Sequence, residues 1–349
     1  MAIEILDVLT LILPLLIILI ACELFTNGVE WLGLKLGLSE TATGSVLAAV
    51  GTALPETVVP IIAIMSVGSG AGGEIAEGAI LGAPFMLATL AMLVGGIAVY
   101  VAHKKGRRPA NLSVSAEHLS FDIKSFLMAY ALAFASAILL QGPGDFNHLA
   151  RYLLVVALII LYVIYVAKMI KGTSKGCDEP ESLYFTRPFS GGARKQPSLA
   201  TVLLQVIASL GLIIVGAKIF VGGIEAVSGD LGIPAIILAF LIAPIATELP
   251  EKFNSVLWYW RGKDTLALGN ITGAMVFQSS IPVSIGIAFT EWNLAPINIA
   301  SMVFAMAAIS LIYLEMRFYK VLSYKSLIIS GSFYFVYVAL ILLFPSLTV

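Results

Sequence analysis

Ten stretches of this chain run for about 20 residues with almost no charge, the length a helix needs to cross the hydrocarbon core of a bilayer. They lie near 5–36, 40–68, 78–102, 125–142, 150–170, 200–229, 232–260, 265–290, 295–314 and 326–345. Only 12% of residues are charged, where a soluble domain carries roughly 25%. A surface so poor in charge could not be solvated by water, so lipid is the solvent. The pattern predicts an all-α integral membrane protein of about ten transmembrane helices. The first, second, sixth and seventh runs exceed the minimum, which predicts tilt or kinks there. After the first run come Glu23, Asn27 and Glu30 rather than a small-residue cleavage site, which predicts a retained helix. Cys22 lies in an apolar run and Cys177 in a polar loop, so neither a disulfide nor a thiolate metal set is expected.

Basic residues set the orientation, because they collect on the inner side. With the N-terminus outside, the inner breaks hold Lys35; Lys104, Lys105, Arg107, Arg108 and Lys124; Lys171, Lys175, Arg187, Arg194 and Lys195; Arg261 and Lys263; and Arg317, Lys320 and Lys325. The outer side then holds Arg151, with Glu74, Glu77, Asp145, Asp230 and Glu291. This predicts an N-out, C-out chain whose loop charges, and His103, His118 and His148, are simply solvated. Lys171 to Ser198 is a linker rich in Gly, Ser, Pro and charge, too short for a folded regulatory domain. It divides the chain into a first transmembrane half (1–170), a cytoplasmic linker (171–199) and a second half (200–349).

Two carboxylates break the apolar pattern in the same way. Gly51-Thr52-Ala53-Leu54-Pro55-Glu56 is echoed by Ala246-Thr247-Glu248-Leu249-Pro250-Glu251. An acid at bilayer depth costs at least a few kcal/mol and is a functional suspect for that reason. The proline beside it leaves a carbonyl one turn earlier without its usual donor. Carboxylate and carbonyl oxygens are hard donors suited to Ca2+. Shifting the chain by 195 residues aligns 21–56 with 216–251 without a gap, matching Phe25/Phe220, Gly28/Gly223, Glu30/Glu225, Gly37/Gly232, Thr52/Thr247, Pro55/Pro250 and Glu56/Glu251. Five spans separate the copies, so they cross the membrane in opposite senses. That is the inverted-topology repeat of secondary transporters, with an ion site near the midplane. Glu56 lies about sixteen residues into its run and Glu251 about nineteen into its own, near mid-depth. Gly28, Gly223, Gly82 and Gly273 are expected at close helix contacts.

On these motifs the chain resembles the calcium/cation antiporter superfamily, which includes sodium/calcium and proton/calcium exchangers. Its mark is a pair of α-repeats, each with a Gly-Thr-Ser-Leu-Pro-Glu helix followed by a glycine-motif helix. Here the second helices carry Gly78-Ala79-Ile80-Leu81-Gly82-Ala83-Pro84 and Gly269-Asn270-Ile271-Thr272-Gly273-Ala274-Met275. The repeats fall at about 20–95 and 215–290. The resemblance implies that Glu56 and Glu251 ligate Ca2+, that Thr52 and Thr247 add oxygens, and that two further ligand positions fall on Leu87 and Gln278. It also implies that the first and sixth helices slide against the core. The family serine after the motif threonine is Ala53 in one half and Glu248 in the other, and the second-motif serines are Ala83 and Ala274. The acid of some sodium exchangers is Gln278, closer to the proton/calcium branch.

These residues lead to an expected function. Two carboxylates balance one Ca2+; when it leaves, they cannot both stay charged in a low-dielectric site. Protons or sodium ions must replace it, which makes the protein an antiporter exporting Ca2+ for H+ or Na+. Glu56, Glu251 and Glu248 are the candidates for proton or sodium coupling. Glu248 has a second reading, as a structural ion pair with Lys252 four residues on, and Gln278 could instead bridge helices. A monovalent cation/proton antiporter is the alternative, and a passive cation channel a more remote one. An enzyme is not expected: Gly142-Pro143-Gly144-Asp145 has the form of an intramembrane aspartyl protease motif, but no second aspartate sits within an apolar span. Zinc is disfavoured where the site region lacks His and Cys. No cofactor, nucleic acid or obligatory protein partner is implied; the partners are lipid, Ca2+ and the counter-ion. A prokaryotic plasma membrane is the expected location.

Overall fold

The computed structural model describes residues 5–35, 53, 55–66, 71–114, 116–139, 145–171, 182–186, 196–232, 239–240 and 248–344. Its α-helices are α1 (Ile5–Lys35), α2 (Pro55–Ser66), α3 (Ala71–Met86), α4 (Met92–Lys104), α5 (Ala116–Leu139), α6 (Asp145–Lys171), α7 (Leu199–Leu231), α8 (Leu249–Trp260), α9 (Asp264–Phe289), α10 (Pro296–Tyr319) and α11 (Tyr324–Leu343). A π-helical turn, Leu87–Ala91, joins α3 to α4 in one continuous rod. Among the described residues eight helices are long and apolar enough to cross a membrane. They coincide with eight of the ten expected runs. The other two, 40–68 and 232–260, are described chiefly in their second halves, as α2 and α8. The protein is an all-α integral membrane protein.

Helix boundaries follow local chemistry. Ser198 caps α7 by accepting a hydrogen bond from the Thr201 amide, and Gly232 ends it at φ 63°, a conformation glycine adopts freely. Pro55 opens α2 and Pro296 opens α10, where the missing N–H costs nothing. Three starts differ from expectation: α6 begins at Asp145, not 150, and two others begin earlier still. Helix α3 begins at Ala71, not 78, and takes Glu74 and Glu77 out of the expected outer loop. Helix α5 begins at Ala116, not 125, and takes in Asp122 and Lys124. In both cases the buried acid has partners far away in the chain, so the helix runs on past the end of its apolar stretch. Glu77 is 7% exposed and bonds Thr290 and the Trp292 backbone. The histidines lie at helix ends rather than in loops, though His118 and His148 are exposed as expected.

Helix α9 is the centre. It packs against α2, α3, α5, α6 and α8, and 78% of its apolar window is buried, against 28% of that of α7 and 11% of that of α6. The lightly buried helices carry exposed leucines, isoleucines and valines, such as Leu13, Ile20, Leu153, Val163, Leu204 and Ile207, suited to acyl chains. Helix α1 lies along α7. Their glycines are what allow it: a side chain at Gly223 would meet the Thr10 carbonyl at 2.7 Å, and one at Gly28 would meet Val206 at 2.9 Å. Because 28 and 223 are repeat-related, each half presents the same glycine to the other. Residues of the linker dock on this pair: Gln205 bonds the Leu24 carbonyl, Asn27 and the Phe185 amide, and Asn27 accepts from the Tyr184 amide.

One end of the bundle, that of the basic breaks, is fastened. Arg108, expected to be solvated, is instead buried and forks onto Asp264 at 2.5 and 2.7 Å. It also donates to the Tyr259 carbonyl, and the Ser113 amide donates to Asp264. A guanidinium fork and a carboxylate satisfy each other's geometry well enough to leave water. Beside it, Asn111–Leu112 pairs antiparallel with Leu322–Ser323.

Candidate ion site

Helices α2 and α8 are each 12 residues long, about 18 Å at 1.5 Å per residue, well short of a bilayer core. Shifted by 195, Pro55–Ser66 becomes 250–261, one residue from the observed bounds of α8. The duplicated motif thus builds duplicated short helices, each with its proline and glutamate in the first turn. Glu56 is the second residue of α2 and only 3% exposed. A carboxylate there lies beside the N–H groups at the start of a helix. Thr57 Oγ1 donates to the Ala53 carbonyl at 3.2 Å, closing the turn that carries Glu56.

The second half is built differently at the matching positions. Glu248, the counterpart of Ala53, is fully buried. Lys252, the counterpart of Thr57, places Nζ 3.6 Å from Glu248 Oε2 and is itself 8% exposed. Gln278, on α9 and 1% exposed, donates Nε2 to Glu248 Oε1 at 3.1 Å. The carboxylate fixes the orientation of the amide, because turning its oxygen toward Glu248 would set acceptor against acceptor. The Gln278 carbonyl oxygen is thereby aimed away, buried and without a hydrogen-bond partner among the described residues. Such an oxygen suits a hard cation. Neighbouring Ser279 and Ser280 donate their hydroxyls to the Val276 carbonyl of their own helix.

Helix α9 touches both α2 and α8, and from it Gln278 reaches Glu248, the residue before α8. Leu87, the first-half counterpart of Gln278, opens the π-helical turn and is fully buried. Such turns gather at functional sites. Thr89 in that turn bonds the Phe85 carbonyl at 2.6 Å. Of the other expected site residues, Thr52 and Thr247 lie outside the described residues, and so does the side chain of Glu251, whose backbone is in α8. The structure therefore describes Glu56, Glu248 and Gln278 and joins the last two directly. A side chain at Gly273 would meet the Tyr165 hydroxyl at 3.6 Å, an ordinary contact.

Another buried carboxylate has no counterpart among the expected site residues. Asp122 on α5 is 2% exposed and accepts from Tyr165 of α6 at 2.9 Å and from Thr272 of α9 at 2.7 Å. Thr272 lies inside the Gly269–Gly273 motif, so this acid clamps the motif helix to its neighbours. A signal existed. Leu119, Asp122, Phe126, Ala129 and Ala133 fall on one helical stripe, all buried, so the stripe extends one turn past the apolar run.

Known proteins share this architecture. The family model for the sodium/calcium exchanger protein matches residues 6–171 and 201–343. An uncharacterised membrane protein of Methanocaldococcus jannaschii, MJ0091, is 23% identical over 317 residues, 89% of this chain and 90% of that protein. The crystal structure of an H+/Ca2+ exchanger, CAX, superposes with a TM-score of 0.73 at 16% identity, covering 96% of this chain and 82% of that one. The sodium-calcium exchanger NCX_Mj superposes at 0.59 with 22% identity, covering 96% and 98%. At such identities the structures speak for the fold alone. The family match spans nearly the whole chain, and with the paired short helices and their acids it places this integral membrane protein in the sodium/calcium exchanger family.

Proposed function

We propose that the protein is a secondary antiporter that exports Ca2+ in exchange for H+ or Na+, through a site formed between the two repeats. Ten spans in N-out, C-out orientation, with halves at 1–170 and 200–349, are part of this proposal. The observation that carries it is Glu56, a buried carboxylate at the start of a short helix whose repeat-related twin bears Glu251. Glu56 and Glu251 are the principal Ca2+ ligands. The Gln278 carbonyl oxygen completes the sphere, with Thr52 and Thr247 adding oxygens. Cation exchange follows from charge balance: two acids hold one divalent ion, and its departure must be matched by two monovalent cations before the site can cross. The lightly buried α1–α7 pair, with its glycine contacts, is the element that slides.

Reconstitution tests this. Ca2+ uptake into proteoliposomes is expected under an imposed pH or sodium gradient and not without one, with saturable counterflow that a passive channel lacks. If no Ca2+ flux appears under either gradient, the protein carries something else; Na+ flux under a pH gradient would then favour monovalent cation/proton exchange.

A further inference from the structure

A lysine is an unexpected neighbour for a cation site. Lys252 follows Glu251 directly and is almost wholly buried. Helix α8 ends at Trp260, so Lys252 lies about 12 Å along the axis from that end, out of snorkelling range. Its ammonium faces Glu248, a carboxylate with no exposure, while the Gln278 amide holds the other oxygen of that acid. A third buried acid next to a two-carboxylate site would call for a further cation from solution, because an isolated charge in so low a dielectric is far more costly than a paired one. Here the chain supplies that cation itself. The repeat-related pair sharpens the point. Ala53 and Thr57 carry no charge and are joined by a hydroxyl-to-carbonyl bond, so the two positions are charged together or not at all.

We propose that Lys252 is a tethered counter-cation: it permanently fills the monovalent-cation position that Glu248 would otherwise create, and leaves only Glu56 and Glu251 to be balanced by exchanged ions. The inference rests on the proposed two-glutamate site. Three acids and one ammonium sum to −2, which one Ca2+ neutralises. Without the ammonium the sum is −3, and Ca2+ leaves one charge over. Lys252 therefore sets how many ions the site takes, and it does so without touching the transported ion.

The test is equilibrium binding of 22Na+ and 45Ca2+ to the purified full chain. The Lys252→Met variant should bind one more Na+ per molecule than wild type at saturation. Lys252→Arg should match wild type, and Glu248→Gln/Lys252→Met should return to the wild-type number. An unchanged Na+ count in Lys252→Met overturns the tether. Should that variant not remain monodisperse, Glu248→Gln serves instead: removing the carboxylate that Lys252 faces should weaken Ca2+ binding at least tenfold, and adding Lys252→Met should recover most of the loss. No recovery overturns the proposal. Because Na+ is counted with and without Ca2+, a wild type that binds no Ca2+ defeats the two-glutamate reading separately, whatever the sodium count of Lys252→Met.

Discussion

The two repeats are alike in backbone and unlike in chemistry. Each builds a 12-residue helix with a Pro-Glu pair in its first turn, and each lends a glycine to the α1–α7 contact. At three matched places the side chains diverge. The first half has Ala53, Thr57 and Leu87, where the second has Glu248, Lys252 and Gln278. The backbone of the rod diverges as well: Leu87 opens a π turn, while Gln278 sits in an uninterrupted α-helix. Duplication therefore supplies the scaffold and one acid from each side, and the second half adds the Glu248–Lys252–Gln278 network. The lesson is that symmetry of fold does not impose symmetry of side-chain chemistry.

The severest way to break this comparison is to remove one acid at a time. Glu56→Gln and Glu251→Gln should each reduce Ca2+ uptake in proteoliposomes at least a hundredfold, because a single carboxylate cannot balance a divalent ion at that depth. If one variant keeps substantial uptake, the acids are not equivalent partners and the asymmetry reaches the ligands themselves.

Next in size is the anchor at the turn between α8 and α9. Arg108 and Asp264 are buried together, and removing one partner leaves the other uncompensated, which costs about 3–5 kcal/mol. Arg108→Ala should lower the thermal midpoint of the purified protein sharply. Replacing both, as in Arg108→Met/Asp264→Leu, should cost less than either single change, since the pair's own desolvation is then removed. A double variant as unstable as the singles would show that the Tyr259 and Ser113 contacts matter more than the pair.

Making the second half resemble the first sharpens the contrast. Gln278→Leu removes both the donor to Glu248 and the carbonyl oxygen aimed away from it, and should weaken Ca2+ binding about tenfold, or roughly 1.4 kcal/mol. Its mirror, Leu87→Gln, should not strengthen binding, because the π turn gives that position a different backbone setting. Tighter binding in Leu87→Gln would mean that the halves remain interchangeable.

A smaller effect is expected at the clamp on α9. Tyr165→Phe and Thr272→Val each remove one donor from Asp122. A hydrogen bond to a charged group contributes roughly 1.5–3 kcal/mol, and one between neutral groups about 1 kcal/mol. Thermal unfolding of the two variants should place each within or below that upper range, with Ca2+ uptake retained.

Which of these features the sequence disclosed follows from their physics. A bilayer admits few architectures, so run length alone revealed the helices, and Gly, Pro and Glu falling in one register revealed the repeat. Glu248 and Lys252 were legible as a possible pair because helical spacing is local. Asp122 was not, since Tyr165 and Thr272 are 43 and 150 residues away. Arg108 was assigned to solvent for the same reason, its partner being 156 residues distant. The early starts of α3 and α5 escaped because hydropathy marks where apolar residues begin, whereas a helix begins where its polar groups find partners. The π turn at Leu87 had no signature in composition.

The gentlest change tests the comparison most directly. Thr57 and Lys252 occupy the same repeat position, and each reaches back four residues, one to a carbonyl and the other to a carboxylate. Thr57→Val keeps the branched shape and removes only the hydroxyl. Hydroxyl bonds of this kind add little to a helix. The expected cost is about 0.5 kcal/mol, with Ca2+ affinity within twofold of wild type, measured in the same binding assay as Lys252→Met. If Thr57→Val instead changed the number of bound ions, the first half would also be setting the charge count. The neutral pair would then be part of the site, and the division between scaffold and chemistry drawn from the two halves would fail.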